Sequence, residues 1–291
     1  GKGSRNKTLS FPLKADKYTF FKLEITELID NKQKPQLAEL SIDASTELPY
    51  SDYTRTLDID NAIHTVMYKE NGITFKREYF MSYPDNVMVM RLTSDSKKGK
   101  LSRIISLESL HTDKTITADG HTITMTGYPV SGDKRVGDAW KNGLKYAQQL
   151  VVKNKGGKIS VVDGTKLKVE DADEIIVLMS AATNYVQCMD DSYNYFSQED
   201  PLEKVQATLH KVADKKYTAL LATHQKDYHS LYDRMRLNLG NLPEAPVAPT
   251  DSLLKGMDEN TNSELENQYL EMLYFQFGRY LLISSSREGS L

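Results

Sequence analysis

The chain has 291 residues, 39% of them apolar, and a formal net charge of −3 from 37 basic and 40 acidic side chains. That length holds one large or two ordinary domains with a sizeable core, and the interspersed charge without a basic block lacks the electrostatic footprint of a nucleic-acid binder. The single cysteine, Cys188, excludes an internal disulfide and reads as an inert buried thiol, no cysteine–histidine cluster has zinc spacing, and no stretch approaches the ~18 consecutive apolar residues of a membrane span.

In chain order, residues 19–183 alternate with period two, rich in β-branched and aromatic residues and broken by glycine, asparagine or aspartate, which predicts an antiparallel sandwich. Phe21, Leu23 and Ile25 alternate with Lys22 and Glu24. Met67, Ile73, Phe75 and Tyr79 flank Asn71-Gly72, the pair that supplies the positive φ angles of a tight hairpin. In residues 86–93, Val87, Val89 and Arg91 alternate with Met88, Met90 and Leu92, so both faces of that strand are expected to be covered. Further strands are predicted over 101–107, 115–118, 122–126, 144–153, 158–162, 165–169 and 174–181, punctuated by Gly156-Gly157 and Asp163-Gly164. Between Gly127 and Gly143, glycine and charge gather around Trp140 in a long loop, for which an ordinary connection is favoured over a ligand role.

After Tyr185 the period changes. Asp200-Pro201 starts a helix, with the aspartate as cap, and Val205, Leu209, Val212, Leu220, Leu221 and His224 follow at helical spacing. Met235, Leu237 and Leu239 alternate with Arg234, Arg236 and Asn238 as one more strand closed by Gly240, and Pro243, Pro246 and Pro249 stiffen the connector 242–250. Leu265, Tyr269, Leu273, Phe277, Tyr280 and Leu281 mark a terminal helix. A helix so apolar is normally buried between other elements. Its partner is therefore expected beyond Leu291, the chain reading as a piece of a longer protein; the opening at Gly1 rather than methionine suggests a processed form, so the lack of a signal peptide says little about where the protein works.

Three stretches resemble the amino-terminal part of glycoside hydrolase family 95, the inverting α-L-fucosidases. The first is Tyr53-Thr54-Arg55-Thr56-Leu57-Asp58-Ile59-Asp60-Asn61-Ala62 running into residues 72–87. The second covers 224–240, from His224-Gln225-Lys226-Asp227-Tyr228-His229 onward. The third is Pro249-Thr250-Asp251 followed by 275–291, with Phe277-Gly278-Arg279-Tyr280 and Ser286-Arg287-Glu288-Gly289-Ser290. The resemblance implies a mainly β chain: an antiparallel β-supersandwich, a helical linker and the first helix of an (α/α)6 barrel. It also implies a glycan substrate reached through the rest of that barrel, where the family's catalytic glutamic acid and its asparagine–aspartate pair reside. None of those motifs occurs here, so no catalytic, metal or cofactor residue is carried over and no cofactor is expected. Periplasmic or extracellular residence follows from the family alone. Residues 17–27 and 36–42 resemble the closing strands of a discoidin-type module. The expected boundaries are 1–45 for those strands, 46–198 for the sandwich, 199–262 for the linker and 263–291 for the barrel helix.

Other candidate residues have bland readings that weigh more. Glu78, Glu108 and Glu170 could be offered as a glycosidase pair, but strand carboxylates are ordinarily solvated or ion-paired. The histidines His64, His111, His121, His210, His224 and His229 are scattered, and the last two are five apart rather than the four that favours a shared metal. Arg77 and Arg91 read as structural ion pairs, Trp140 and Tyr146 as loop packing before sugar stacking, and Asn6-Lys7-Thr8 as a glycosylation acceptor only in a eukaryotic secretory setting. The expected function is thus a non-catalytic amino-terminal region of a fucosidase-like hydrolase, inactive alone. The alternative is a carbohydrate-binding module holding sugar on sandwich loops; a purely structural sandwich leaves the helices without a purpose.

Overall fold

Asn71 and Gly72 both adopt positive φ (52° and 75°), closing the hairpin between β2 (Ile63–Glu70) and β3 (Ile73–Ser82) with Glu70 opposite Ile73. The computed structural model describes residues 50–96, 101–129, 143–187, 195–239 and 248–287. Ser51–Leu291 is one compact unit. The predicted strand around Phe21, the discoidin-like start, the Asn6 acceptor, the Trp140 loop, Cys188 and the prolines Pro243 and Pro246 lie outside the described residues.

The strands number β1 (Ser51–Asp58), β2, β3, β4 (Val87–Ser94), β5 (Leu101–Ser106), β6 (Lys114–Asp119), β7 (Thr122–Gly127), β8 (Tyr146–Lys155), β9 (Lys158–Val162), β10 (Lys166–Ala172) and β11 (Glu174–Thr183). They form an eight-stranded sheet, β1-β2-β3-β4-β11-β8-β7-β6, and a three-stranded sheet, β5-β10-β9, with antiparallel pairing throughout. Strand β10 runs past its predicted end at 169, through an irregularity where Asp171 takes φ 55°.

The centre of the large sheet is buried on both faces, as the 86–93 pattern predicts. Leu92, Ile175, Val177, Val152 and Ile123 meet Leu101, Leu167 and Val169 of the small sheet. On the opposite face Phe80, Val87, Val89, Ile176 and Leu178 meet Val205, Leu209, Val212 and Leu220 of two helices. The fold is therefore mainly β, a sandwich with a helical layer behind it. Strand β1 is exposed along its whole length, as an edge strand can be.

The helical run breaks in two. α1 (Pro201–Val212) is capped by Asp200, whose carboxylate accepts the Leu202 N–H at 2.9 Å, and its carboxyl end is held by Lys153, whose Nζ donates to Ala213 O at 2.6 Å and Lys215 O at 3.0 Å. After the break, α2 (Tyr217–Tyr232) buries Tyr217, Leu220, His224, Tyr228 and Tyr232 in one stripe. α3 (Thr250–Asp258) was not anticipated by the apolar pattern; α4 (Glu264–Ser285) was, and opens on a capping box in which Ser263 and Glu266 satisfy each other's amides. The strand expected over 234–239 is absent: the segment pairs with no strand among the described residues, and the Met235 carbonyl instead accepts a side-chain bond from Arg279 at 2.6 Å. Alternation over so few residues reports an exposed side, not a ladder.

Candidate functional site

The best-connected polar cluster lies where the sandwich meets the helices. In the turn after β1, the Asp58 carboxylate accepts the N–H groups of Asp60 (3.0 Å) and Asn61 (3.1 Å) and the Asn61 side-chain amide (2.8 Å). This shapes a turn that ends on Ala62 at φ 52° and presents carbonyls to α2. The Tyr228 hydroxyl donates to Ile59 O at 2.6 Å, and His224 Nε2 sits 3.1 Å from Asn61 O and 3.2 Å from Ala62 O. Carbonyls only accept, so that nitrogen carries the proton. The Asn61 side-chain oxygen meets Gln225 Nε2 at 3.1 Å and His229 Nε2 at 3.2 Å. His224 is buried between the rings of Phe80 (4.8 Å) and Tyr228 (6.3 Å), and Tyr228 stacks on Tyr232 at 5.1 Å.

α4 is fastened to the same helix by two arginines. Arg279 donates to the carbonyls of Met235 (2.6 Å) and Tyr232 (2.8 Å), so its charge neutralises the negative end of α2, and it stands 5.0 Å over the Tyr232 ring. Arg287 grips Asp227 at 2.8 and 3.4 Å and lies 4.6 Å over the Tyr83 ring. Both partners of that pair are mostly buried, with side-chain exposures of 14% and 23%.

Burial, then the Asp60 carboxylate, pushes the Tyr232 phenol up to about 12, and burial raises Tyr228 too. Phenols held so high stay neutral near pH 7 and do not exchange protons with a substrate. Burial lowers His224, against the raising effect of the Asn61 and Ala62 carbonyls. Below its ordinary value of 6.5, the unfolded chain binds a proton that the folded chain refuses, so stability is lost as pH falls through that range and levels off below the depressed folded value. Thermal unfolding at about pH 7.5 and about pH 5 should show this loss, and His224→Gln should shrink it; an unchanged loss would assign it to another group.

The remaining candidates separate. Glu78 pairs with Lys76 (2.8 Å) and Arg91 (3.4 Å), and Arg91 with Glu174 (2.6 Å), so the ion pair expected of Arg91 is present. Arg77 departs from that expectation: it bonds the Tyr68 hydroxyl at 3.1 Å and no carboxylate among the described residues. Glu170 lies on the small sheet with Lys168 (2.7 Å) and Lys158 (3.3 Å), its pKa lowered by the Lys168 hydrogen bond, while Glu108 is exposed. These carboxylates do not converge. His64 packs on Tyr79 and His111 on Tyr146, whereas His121 and His210 are exposed. The Tyr146 hydroxyl is buried and has no hydrogen-bond partner among the described residues. Among the described residues no three histidine, cysteine or carboxylate side chains cluster as metal ligands. Sequence reasoning missed Asn61, Asp227, Tyr228, Arg279 and Arg287 individually, yet all five stand within the stretches that carry the family resemblance.

Residues 16–188 match the family model Glycosyl hydrolase family 65, N-terminal domain, and residues 216–291 match the Glycosyl hydrolase family 95 catalytic domain. The chain belongs to the first of these families, and the match over 216–291 agrees with the family 95 resemblance of its sequence. It is 32% identical over 263 residues to Probable alpha-fucosidase A of Aspergillus niger, covering 88% of this chain and 31% of that protein. It is 32% identical over 257 residues to Alpha-L-fucosidase 2 of Arabidopsis thaliana, covering 82% and 30%. The chain thus spans about a third of the length of the curated relatives it matches. Among solved structures it is similar to a putative kojibiose phosphorylase from human microbiome, with 12% identity, a TM-score of 0.43, and coverage of 63% of this chain and 25% of that one.

Proposed function

We propose that this chain is the non-catalytic amino-terminal region of an inverting α-L-fucosidase-like hydrolase that acts on glycans in the periplasm or outside the cell. The sandwich and α1 to α3 hold α4, the first helix of the catalytic barrel, at a fixed position. The boundaries proposed are 1–45, 46–198 for the sandwich, 199–262 for the linker and 263–291 for the barrel helix. The acid and the water-positioning groups belong to the rest of the barrel.

One observation carries this reading. α4 is clamped to α2 by Arg279, and by Arg287 just past its end, while Tyr274 (80%) and Leu281 on the side away from Arg279, and Leu282 (65%), are exposed. A helix fixed on one side and apolar on the other suits an element with a further layer against it. The match of residues 216–291 to a catalytic domain and the share of the relatives' length that is spanned support the same view. Among the described residues no helix is long and apolar enough to cross a membrane.

The test is turnover of an aryl α-L-fucoside. The 291-residue chain should show none, and a longer protein with the whole family 95 catalytic domain should hydrolyse it with inversion. Measurable turnover by this chain alone would overturn the assignment of chemistry to the rest of the barrel.

A further inference from the structure

A cavity of about 470 Å³ lies where α1 gives way to α2 against the large sheet. Its sheet wall follows from the strand register. Lys153 and Lys155 stand two apart on β8 and so share a face. Lys153 is opposite Ile176, which is opposite Arg91, and Lys155 is opposite Glu174. The other wall is the start of α2, at Lys216, Tyr217 and Thr218. The lining thus sets four cations, Arg91, Lys153, Lys155 and Lys216, against one carboxylate, Glu174.

That carboxylate is already committed. Glu174 holds Arg91 at 2.6 Å, while Arg91 Nη1 lies 3.4 Å from Glu78. Lys153 is fixed by the Ala213 and Lys215 carbonyls, neutral acceptors that orient an ammonium without cancelling its charge. The Lys155 and Lys216 side chains have no ion-pair partner among the described residues, and both residues are exposed. Lys216 moreover occupies the N-cap of α2, an end that no side chain caps and whose first turn holds no acidic residue. A cation at the positive end of a helix is unfavourable, and an anion bound there relieves it. Tyr217 points to a ligand independently. It is 7% exposed, and its hydroxyl is buried with no hydrogen-bond partner among the described residues. Burial, then the Glu78 carboxylate, pushes that phenol up to about 12, so it stays protonated and able to donate. A buried donor left unmade is costly, and an acceptor entering from the cavity removes that cost.

We propose that this cavity binds a small molecule through a phosphate or sulfate ester, Lys155 and Lys216 taking the oxyanion at the start of α2. The volume lies within the range of small-molecule sites and exceeds what a bare ion needs. A tetrahedral oxyanion presents oxygens in several directions, which suits donors converging from a sheet and from a helix end. A planar carboxylate is better matched by a free guanidinium fork, and Arg91 is engaged by its two glutamates.

Titration calorimetry on the full 291-residue chain tests it, with glucose 6-phosphate, glucose 6-sulfate, glucose and inorganic phosphate as probes. One ester at least should bind about tenfold more tightly than glucose or inorganic phosphate, and the comparison of the two esters identifies the preferred group. Lys155→Gln with Lys216→Gln, both at exposed positions, should remove that preference. Lys216→Asp is the sharper variant, because it gives α2 a cap and sets a carboxylate where the oxyanion would sit. Its thermal midpoint should hold or rise while ester affinity falls about tenfold. Lys255→Gln on α3 should leave binding unchanged. Equal binding of esters and glucose, inorganic phosphate bound as tightly as the esters, or ester binding indifferent to Lys155 and Lys216 would overturn the proposal. Binding is read without turnover, so a negative result leaves the hydrolase assignment standing.

Discussion

Tyr228→Ala is expected to destabilise the chain by about 3–5 kcal/mol, the usual cost of removing a buried aromatic ring. The ring is 2% exposed, stacks on Tyr232, and meets Tyr280 edge-on at 6.4 Å, so it joins α2 to α4 as well as to the sandwich. Tyr228→Phe keeps that packing and removes only the bond to Ile59 O, for a cost of about 1 kcal/mol. Denaturant unfolding of the two variants separates the terms. Hydrogen exchange in the turn at residues 58–62 should rise in the alanine variant before the strands of the large sheet respond, because the turn loses its anchor while the sheet core keeps its own. Equal costs for the two variants would place the effect in the hydroxyl rather than the ring, and no cost in either would contradict the docking of the turn on α2.

The second large effect is expected at Gly157, in the turn between β8 and β9. Its φ is +65°, and a Cβ there would land on the backbone carbonyl of Glu170 and within 2.7 Å of the Ala172 nitrogen. Backbone cannot step aside as a flexible side chain can. Gly157→Ala should therefore cost about 2–5 kcal/mol, the left-handed strain together with the overpacking. Gly164 is the control: its φ is +63° but nothing lies within 4 Å of its Cβ position, so Gly164→Ala should cost only about 1–2 kcal/mol. A midpoint shift for Gly157→Ala no larger than for Gly164→Ala would mean that β10 does not press on this turn.

α4 is tied to the rest of the chain although much of its apolar surface is exposed: Leu270 and Gln276 are buried, and Arg279 and Arg287 bind α2. Hydropathy could not anticipate this, because the polar residues Arg279, Arg287 and Asp227 do the fastening.

The local periods of the chain determined most of the strands, the Asn71-Gly72 hairpin, the Asp200-Pro201 helix start and the two-sided burial of β4, since each depends on side-chain alternation or backbone preference within a few residues. The same information misjudged 234–239, where alternation exists but no described strand pairs with the segment, and gave no hint of α3. It read Arg77 as an ion pair like Arg91, although only the latter faces glutamates across the sheet. It placed His224 and His229 on different helix faces, and they nonetheless meet different atoms of Asn61, a residue more than 160 positions earlier in the chain. Contacts of that sequence separation are set by how the sheet and the helical layer pack, and no property of the segments themselves carries them. The sequence by itself therefore determined which elements form and, through its family stretches, which kind of protein they belong to. Only the tertiary structure decided which polar groups share a site, because that depends on the distance between elements that have no local reason to meet.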